Sequence, residues 1–474
     1  MLTGSIKNMR IFFHWVAVLS FVFAQALAWG QEGKGLPTAP VTNSGTLIAT
    51  ARDIGVPGMA IPKVATPGIA IPGIAIAIGG ALKYDNHEVW KRLVELAGGK
   101  GARFAVFATA AGDPEKSAAL IIDALTRHGA VAEHIPVAPE LKTPDCRDAR
   151  RAAHDPLLVA KVKASRGIYF AGGAQERITD ALYQPDGKLT PILSAIWEVF
   201  NRGGVVAGSS AGAAIMSTTM FRDPPEVLAV MQSGWNGLRE GADIDRGLGF
   251  VGAHVFVDQH FLKRGRIGRM LPLMAQKGYQ LGVGVDENSA VVFQGDEIEV
   301  INANGSKGAL VADLEASTVD NTVPEFNLKN ARLTYLDRGD RFNLKTRVVT
   351  PSRPKLSGRK VDPATKNFSP LFADEVFCTD ILGDTVIVNA MARLIDSRQS
   401  TIRGLAFNPL AVVNPVKAGS KDVLPAPGFE FKLRKERDSL GYFTSAFGGE
   451  DYTVINIYLD ITPVLMAQPL YKKR

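Results

Sequence analysis

The sequence predicts an α/β fold in which a parallel sheet is flanked by helices, followed by a C-terminal β-rich accessory domain. Between residues 76 and 310, short apolar strands alternate with amphipathic helices, as in parallel sheets. From about residue 311, apolar and polar residues alternate, which is typical of half-buried strands. In such parallel sheets ligands bind beyond the carboxyl ends of the strands, so a site is expected there.

Residues 1–28 have the composition of a signal peptide. Lys7 and Arg10 precede an apolar run, and small residues near Ala26 and Ala28 fit a cleavage site. We therefore expect export to the periplasm or the medium, without stable membrane insertion. An uncleaved anchor is the alternative, because the run approaches the roughly 20 residues that a membrane helix needs.

Residues 29–75 contain an imperfect Pro/Gly repeat, which predicts an apolar linker because prolines cannot pair within a central strand. The peptide then alternates between predicted strands and helices: strand 103–110, helix 113–128, strand 131–137 and a helix that begins at Thr190-Pro191. The last of these helices ends at a glycine pair just before an apolar strand. This alternation defines the region 76–310 as one predicted domain.

Residues 311–474 form the predicted accessory domain. Its segment 347–370 is rich in proline and basic residues, which predicts a linker or an extended loop. Apolar residues alternate with polar ones further on, at Phe429, Phe431 and Leu433 and again at Ile455, Ile457 and Leu459. We expect both runs to be strands.

Composition limits the classes of function. The chain has 474 residues, 46% of them hydrophobic, and 54 basic against 47 acidic residues give a formal charge of +7. Without a long basic cluster, nucleic acid is not an expected partner. The two cysteines, Cys146 and Cys378, allow one disulfide in an oxidising compartment, and their neighbours do not suggest a metal site. We expect no cofactor.

The segment Gly208-Ser209-Ser210-Ala211-Gly212 has the Gly-x-Ser-x-Gly pattern, between an apolar strand and an Ala-rich helical run. A nucleophilic serine in a sharp strand-to-helix turn needs small neighbours of this kind. The alternative is a small-residue crossing between strand and helix without chemistry.

Histidines and acids downstream of Ser210 support the chemical interpretation. A serine nucleophile needs a general base, and only His254 and His260 follow it. His260 is the better candidate because it lies just beyond the end of a predicted strand. Asp223 and Glu226, beside a rigid Pro-Pro pair, are the preferred candidates for the acid. The other acids between serine and histidine are Glu240, Asp243 and Asp245.

Two backbone amides could form an oxyanion hole. A tetrahedral intermediate needs donors where its negative charge develops, and the amides of Gly173 and Ala211 follow two strand ends. The alternative is that the Gly172-Gly173 pair only permits a tight turn.

Four ordered motifs resemble the cyanophycinases, which are serine peptidases related to dipeptidase E. They lie at residues 168–178, 208–214, 258–269 and 282–287, within a resemblance that covers about residues 76–300. The resemblance implies a glutaminase-like fold, a homodimer, Ser210 as nucleophile, His260 as base and Asp223 as acid. This chain departs from the family at Ala174, where an acidic residue is usual, and at Ser209, where threonine is usual.

The resemblance also implies a substrate, cyanophycin, a polyaspartate whose side chains carry arginine. We expect an exported exopeptidase that releases β-Asp-Arg dipeptides through an acyl-enzyme. Guanidinium groups bind carboxylates bidentately, which suggests a substrate clamp made by Arg264, Arg266 and Arg269. The arginine head groups of the substrate would then meet Gln175, Asp258 and Gln259. The alternatives are a peptidase for other Asp-containing peptides and a catalytically silent binding protein.

Overall fold

The computed structural model describes residues 73–141, 148–303, 305–410, 426–467 and 470. The predicted signal peptide, nearly all of the predicted linker, and Cys146 lie outside these ranges. Within them, none of the helices combines the length and the apolar character that crossing a membrane requires.

The helices of the described residues are α1 His87–Leu96, α2 Pro114–Arg127, α3 Ala149–Ala152, α4 Pro156–Lys163, α5 Glu176–Leu182, α6 Pro191–Asn201, α7 Ala211–Ala214, α8 Val227–Gln232, α9 Ile267–Lys277, α10 Arg353–Leu356 and α11 Val386–Ile395. Several begin as their sequences predict. The Asp113 side chain caps α2 by accepting a hydrogen bond from the Lys116 amide, and Thr190 caps α6 with proline in its first turn.

The strands of the described residues are β1 Ile74–Ile78, β2 Arg103–Phe107, β3 Val131–His134, β4 Gly167–Phe170, β5 Val205–Ser209, β6 Thr219–Phe221, β7 Ile244–Arg246, β8 Val255–Asp258, β9 Leu281–Val285, β10 Ser289–Gln294, β11 Glu297–Asn302, β12 Ala309–Asp313, β13 Thr318–Val319, β14 Leu328–Leu336, β15 Arg341–Asn343, β16 Val349–Thr350, β17 Arg359–Val361, β18 Phe377–Cys378, β19 Thr401–Phe407, β20 Ala426–Thr444 and β21 Asp451–Met466.

The first sheet contains the predicted parallel strands. Its order is β16-β15-β11-β10-β1-β5-β4-β2-β3, and the five strands from β1 to β3 in this order run parallel. Strands β10, β11, β15 and β16 extend it by antiparallel pairing. Helices α1 and α2 pack on one face, where Val89, Leu93 and Ile121 are buried with the β1 isoleucines. Residues of α5 and α6 pack on the other face. The predicted α/β class is therefore confirmed.

The second sheet joins the peptide segment before residue 310 to the segment after it. Its main order is β18-β19-β20-β21-β14-β12-β9-β8, with β13 and β17 added beside β14 and β20. Strands β8 and β9 are parallel, and β12 pairs directly with β9. One face of β8 and β9 packs in the same core as the first sheet, and the other face packs with α8, α9 and α11.

The C-terminal region is rich in strands, as predicted. Phe429, Phe431 and Leu433 are fully buried along β20, and β20 pairs with β21 over most of its length. In β21 the alternation shifts: Val454 is buried and Ile455 only half-buried, because Asn456 adopts a positive φ of 58°. The strand predicted through Ile455, Ile457 and Leu459 is therefore present, with its alternation interrupted at Asn456.

The stretch 347–370 differs from the predicted linker. It contains β16, α10 and β17, and the Lys355 side chain is completely buried against Asp340, with 2.7 Å between Lys355 Nζ and Asp340 Oδ2. The same Asp340 oxygen accepts a hydrogen bond from Thr453 in β21. The basic, proline-rich composition of this stretch does not predict its ordered structure, because the residues that stabilise it are distant in sequence.

Candidate active site

Ser210 lies in a sharp turn between β5 and α7. Its backbone angles are φ 54° and ψ −108°, a conformation that costs a non-glycine residue of order 1–3 kcal/mol and that persists only when its surroundings enforce it. The Ser210 amide donates to the carbonyl of Ile78 at 3.0 Å, which fixes the turn at the end of β1. This is the geometry expected of a serine nucleophile at a strand end.

His260 contacts Ser210 directly. Ser210 Oγ lies 2.8 Å from His260 Nε2, although the two residues are 50 positions apart. His260 follows β8, also has a positive φ (46°), and is 7% exposed. The predicted pairing of Ser210 with His260 is thus present in the structure, while His254 is exposed at the start of β8.

The acid beside His260 is Glu287, not Asp223. Glu287 Oε1 lies 2.6 Å from His260 Nδ1. A carboxylate only accepts hydrogen bonds, so Nδ1 carries the proton and the Nε2 lone pair faces the serine. The prediction that Asp223 fills this role is wrong: Asp223 follows β6, where its amide donates to the carbonyl of Ala242. Its alternative, Glu226, is the residue that precedes α8, and its side chain makes no capping hydrogen bond there.

Strand pairing explains why Glu287 reaches the histidine. β8 and β9 are parallel neighbours, with Asp258 opposite Gly284. His260 lies two residues beyond Asp258 and Glu287 three residues beyond Gly284, so both side chains emerge at the same carboxyl edge. The signal available in the sequence was an acid just past the end of a strand adjacent to the histidine strand. Glu287 follows the histidine in sequence, whereas the predicted acids all lie between the serine and the histidine.

The end of β1 holds all three segments together. Carbonyls of Ile78, Gly79 and Gly80 accept, in turn, from the amides of Ser210 at 3.0 Å, His260 at 2.6 Å and Asn288 at 2.8 Å. A Cβ on Gly80 would lie 2.3 Å from His260 Nε2, and its φ of +102° also favours glycine. The glycine pair therefore allows the histidine to pack directly on the strand end.

Burial and neighbouring charges act on the basicity of His260. Burial lowers its pKa below the ordinary 6.5, the hydrogen bond to Glu287 raises it, and Arg264 and Arg266 lower it further. The net direction is downward, so the imidazole is neutral at neutral pH. A neutral imidazole with its Nε2 lone pair on a serine hydroxyl can act as a general base.

The predicted oxyanion donors lie beside the serine. A Cβ on Gly172 would be 3.7 Å from Ser210 Oγ, so the Gly172-Gly173 turn passes against the nucleophile. Gly173 has a φ of +141°, and a Cβ there would collide with the carbonyl oxygen of Ala110 at 1.9 Å. Ala211 is the first residue of α7. The amides of Gly173 and Ala211 have no hydrogen-bond acceptor among the described residues. Both are therefore available as donors to an oxyanion.

The predicted arginine clamp is mostly an internal ion-pair cluster. Arg269 donates to both carboxylate oxygens of Asp258, at 2.8 and 2.6 Å, and stacks over the Phe221 ring. Arg266 donates to the Gln259 carbonyl, and burial lowers its pKa to about 10. The prediction that Arg269 and Asp258 bind substrate is wrong, because each already satisfies the other inside the protein.

The remaining predicted substrate contacts also divide into internal side chains and exposed ones. Gln175 Nε2 donates to the carbonyls of Phe221 and Arg222, so it holds the β6 segment rather than facing outward. Gln259 is 4% exposed, and its side-chain oxygen is buried without a hydrogen bond. Of the six predicted substrate contacts, only Arg264 is exposed. In the described ranges, no three His, Cys, Asp or Glu side chains cluster to hold a metal ion.

Comparison with known proteins agrees with this geometry. The profile of Peptidase family S51 matches residues 75–301. The cyanophycinase of Geminocystis herdmanii is 32% identical over 279 residues, covering 57% of this chain and 93% of that protein. The cyanophycinase of Nostoc sp. is 29% identical, covering 60% and 89%, and that of Thermosynechococcus vestitus is 28% identical, covering 58% and 80%. The chain thus belongs to Peptidase family S51 and is a serine-type peptidase.

Proposed function

We propose that the protein hydrolyses cyanophycin, releasing β-Asp-Arg dipeptides through an acyl-enzyme on Ser210. The observation that carries this proposal is the unbroken line of contacts from Ser210 Oγ through His260 to Glu287. Its relatives of similar sequence, matched over 80–93% of their own lengths, are cyanophycinases.

In the proposed mechanism, His260 Nε2 takes the proton of Ser210 as Oγ attacks the carbonyl carbon of the scissile amide. The amides of Gly173 and Ala211 donate to the oxyanion, and Glu287 stabilises the imidazolium. The imidazolium then protonates the leaving amine, the carbon–nitrogen bond breaks and an ester remains on Ser210. Water, deprotonated by His260, hydrolyses this ester and restores the serine hydroxyl.

Purified protein acting on cyanophycin granules tests the proposal. Mass spectrometry should detect β-Asp-Arg with the parent enzyme and none with Ser210→Ala, while circular dichroism shows both folded. Asp223→Asn is the matched control and should release dipeptide at the parental rate. Dipeptide release by Ser210→Ala at the parental rate would overturn the proposal.

A second candidate substrate class is other Asp-containing peptides. It is favoured by Ala174, which lies beside the Gly172-Gly173 turn and offers no charge there. A panel of β-aspartyl and α-aspartyl peptides separates the two: faster cleavage of unbranched peptides than of cyanophycin would support this candidate. A catalytically silent protein is not favoured, because the serine, histidine and acid are all in contact.

Export is part of the proposal and depends on the sequence alone. Lys7, Arg10, the apolar run and the small residues near Ala26 and Ala28 support cleavage and secretion. N-terminal sequencing of the protein from its native host should begin just after residue 26 or 28. An intact Met1 on protein recovered from the cytoplasm would contradict export.

A further inference from the structure

A cavity of about 380 Å³ lies between α11 and the loop that precedes β12. This volume is within the range of small-ligand pockets. Its polar and aromatic walls include Lys307, Asn389, Arg393, Glu450, Phe372 and Tyr452. The S51 profile ends at residue 301, so all of these residues lie beyond the matched segment.

The hydrogen bonds of the lining separate structural groups from available ones. The Tyr335 hydroxyl donates to Asp337 and the Tyr452 hydroxyl to Asp396, so these two rings contribute walls rather than free polar groups. Asn389 uses its amide nitrogen on Thr385, which leaves its carbonyl oxygen.

The charged side chains of the lining, unlike the two tyrosines, are free to bind a ligand. Within the described part of the chain, the side chains of Lys307, Arg393 and Glu450 have neither a hydrogen bond nor an ion pair. Arg393 is half-buried, its guanidinium stacks 4.6 Å above the centre of the Phe372 ring, and its Nε is buried without an acceptor. A buried donor without a partner is costly, and an anionic ligand would remove that cost.

Two elements that line the cavity are hydrogen-bonded to the segments that carry the histidine and the acid. The Lys307 carbonyl accepts from the Ser289 hydroxyl, two residues after Glu287 and therefore within about 7 Å of chain. On the other wall, the Thr385 amide that begins α11 donates to the carbonyl of Leu262, two residues after His260. Lys307 and α11, which line the pocket, are thus held by the segments that carry the acid and the histidine.

We propose that this cavity is a second substrate subsite, which holds one arginyl branch of the polymer beside the cleavage site. Its carboxylate lies between Lys307 and Arg393, and its guanidinium lies at Glu450. Arginine fits this arrangement because it carries opposite charges at the two ends of one flexible stem. The proposal depends on cyanophycin being the substrate, and it assigns the C-terminal region a role in gripping the polymer.

Calorimetric titration of the trimer (β-Asp-Arg)₃ into Ser210→Ala protein tests the subsite without turnover. Adding Lys307→Met and Arg393→Met together should weaken binding about 10- to 100-fold, and adding Glu450→Gln about 10-fold, because each removes a charge-assisted contact. Arg398→Gln is the matched control, since it removes an exposed arginine just after α11. The single variants Lys307→Met and Arg393→Met serve if the double variant does not fold.

Activity assays on the same variants with the catalytic Ser210 retained complete the test. The double variant should raise KM for cyanophycin while the rate of Ser210 labelling by a fluorophosphonate stays parental, since the catalytic contacts are untouched. Equal trimer affinity in all variants, or equal weakening by Arg398→Gln, overturns the subsite even if the parent degrades cyanophycin. Trimer binding that the cavity variants weaken, in a parent that does not cleave cyanophycin, would instead overturn the proposed function alone.

Discussion

Replacing Glu287 with glutamine tests which acid supports His260. The carboxylate accepts the Nδ1 proton at 2.6 Å. A glutamine can turn its NH₂ group toward Nδ1, which would place the imidazole proton on Nε2 and leave no lone pair for Ser210. The expected result is a large loss of kcat with little change in KM.

The size of the loss follows from the geometry of the pair. Removing the acid charge from a buried Asp–His pair of a serine peptidase costs about 10⁴-fold in kcat. The Glu287 side chain is 27% exposed and that of His260 is 9% exposed, so water offsets part of the effect. We therefore expect a loss of about 10³-fold, or about 4 kcal/mol of transition-state stabilisation.

The pH profile of kcat/KM on cyanophycin gives a second reading of the same variant. The base must be neutral, so the rate falls as the pH drops through the His260 pKa, which burial holds below 6.5. Glu287 raises that pKa, so Glu287→Gln should move the acid limb to lower pH. Asp223→Asn should leave both kcat and the acid limb parental. The reverse ranking of the two variants would refute the assignment of Glu287.

Three further substitutions test the framework. Gly80→Ala should cost about 10²-fold in kcat, because its Cβ would lie 2.3 Å from the catalytic histidine, whereas Gly98→Ala, with a similar positive φ and open space, should not; equal losses would contradict this. Burial raises the pKa of Asp286 from 3.8 to about 6, so its ionised form costs the fold about 3 kcal/mol above pH 6 and nothing below pH 3.8. In urea titrations, the free energy of unfolding of Asp286→Asn relative to the parent should therefore rise by up to that amount between pH 4 and pH 8. A difference in unfolding free energy that stays constant over this range would exclude a raised pKa for Asp286. Lys355→Met should lower the free energy of unfolding by about 3–5 kcal/mol because it leaves a buried carboxylate unpaired, whereas exposed Lys360→Met should be neutral; similar stabilities would show that the buried pair contributes little.

Local signals in the sequence were sufficient for the first sheet and for two of the three catalytic side chains. Caps such as Asp113 and Thr190 mark helix starts through contacts within a few residues. The elbow at Ser210 is specified by its small neighbours, and the sequence predicts His260 as the base because only two histidines follow Ser210. Features that depend on neighbours in sequence were therefore predictable.

Features that depend on distant pairing were not. Glu287 meets His260 only because β8 and β9 are parallel neighbours, which no local pattern reveals. Asp258 and Arg269 each look available in the sequence, yet they bind each other once the chain folds. Lys355 lies in a segment of loop-like composition but is buried by its contact with Asp340. In each case the partner is fixed by tertiary structure.

The predicted boundary at residue 310 has the same difficulty. The hydrophobic periodicity changes there, and the separate domain at residues 311–474 stays a prediction. Its first strand, β12, pairs directly with β9, which precedes the acid. Strands on both sides of residue 310 therefore form one sheet. The C-terminal region thus pairs directly with the strand that leads to Glu287.

Covalent labelling of Ser210 tests the Ser210–His260–Glu287 assignment most directly. Each protein is treated with a fluorophosphonate, and peptide mapping locates the adduct while its rate of formation is followed. We predict a single adduct on Ser210, formed with an acid limb below about pH 6.5, far more slowly in Glu287→Gln and not detectably in His260→Ala. An adduct on another serine, or parental labelling of Ser210 in His260→Ala, would contradict the assignment.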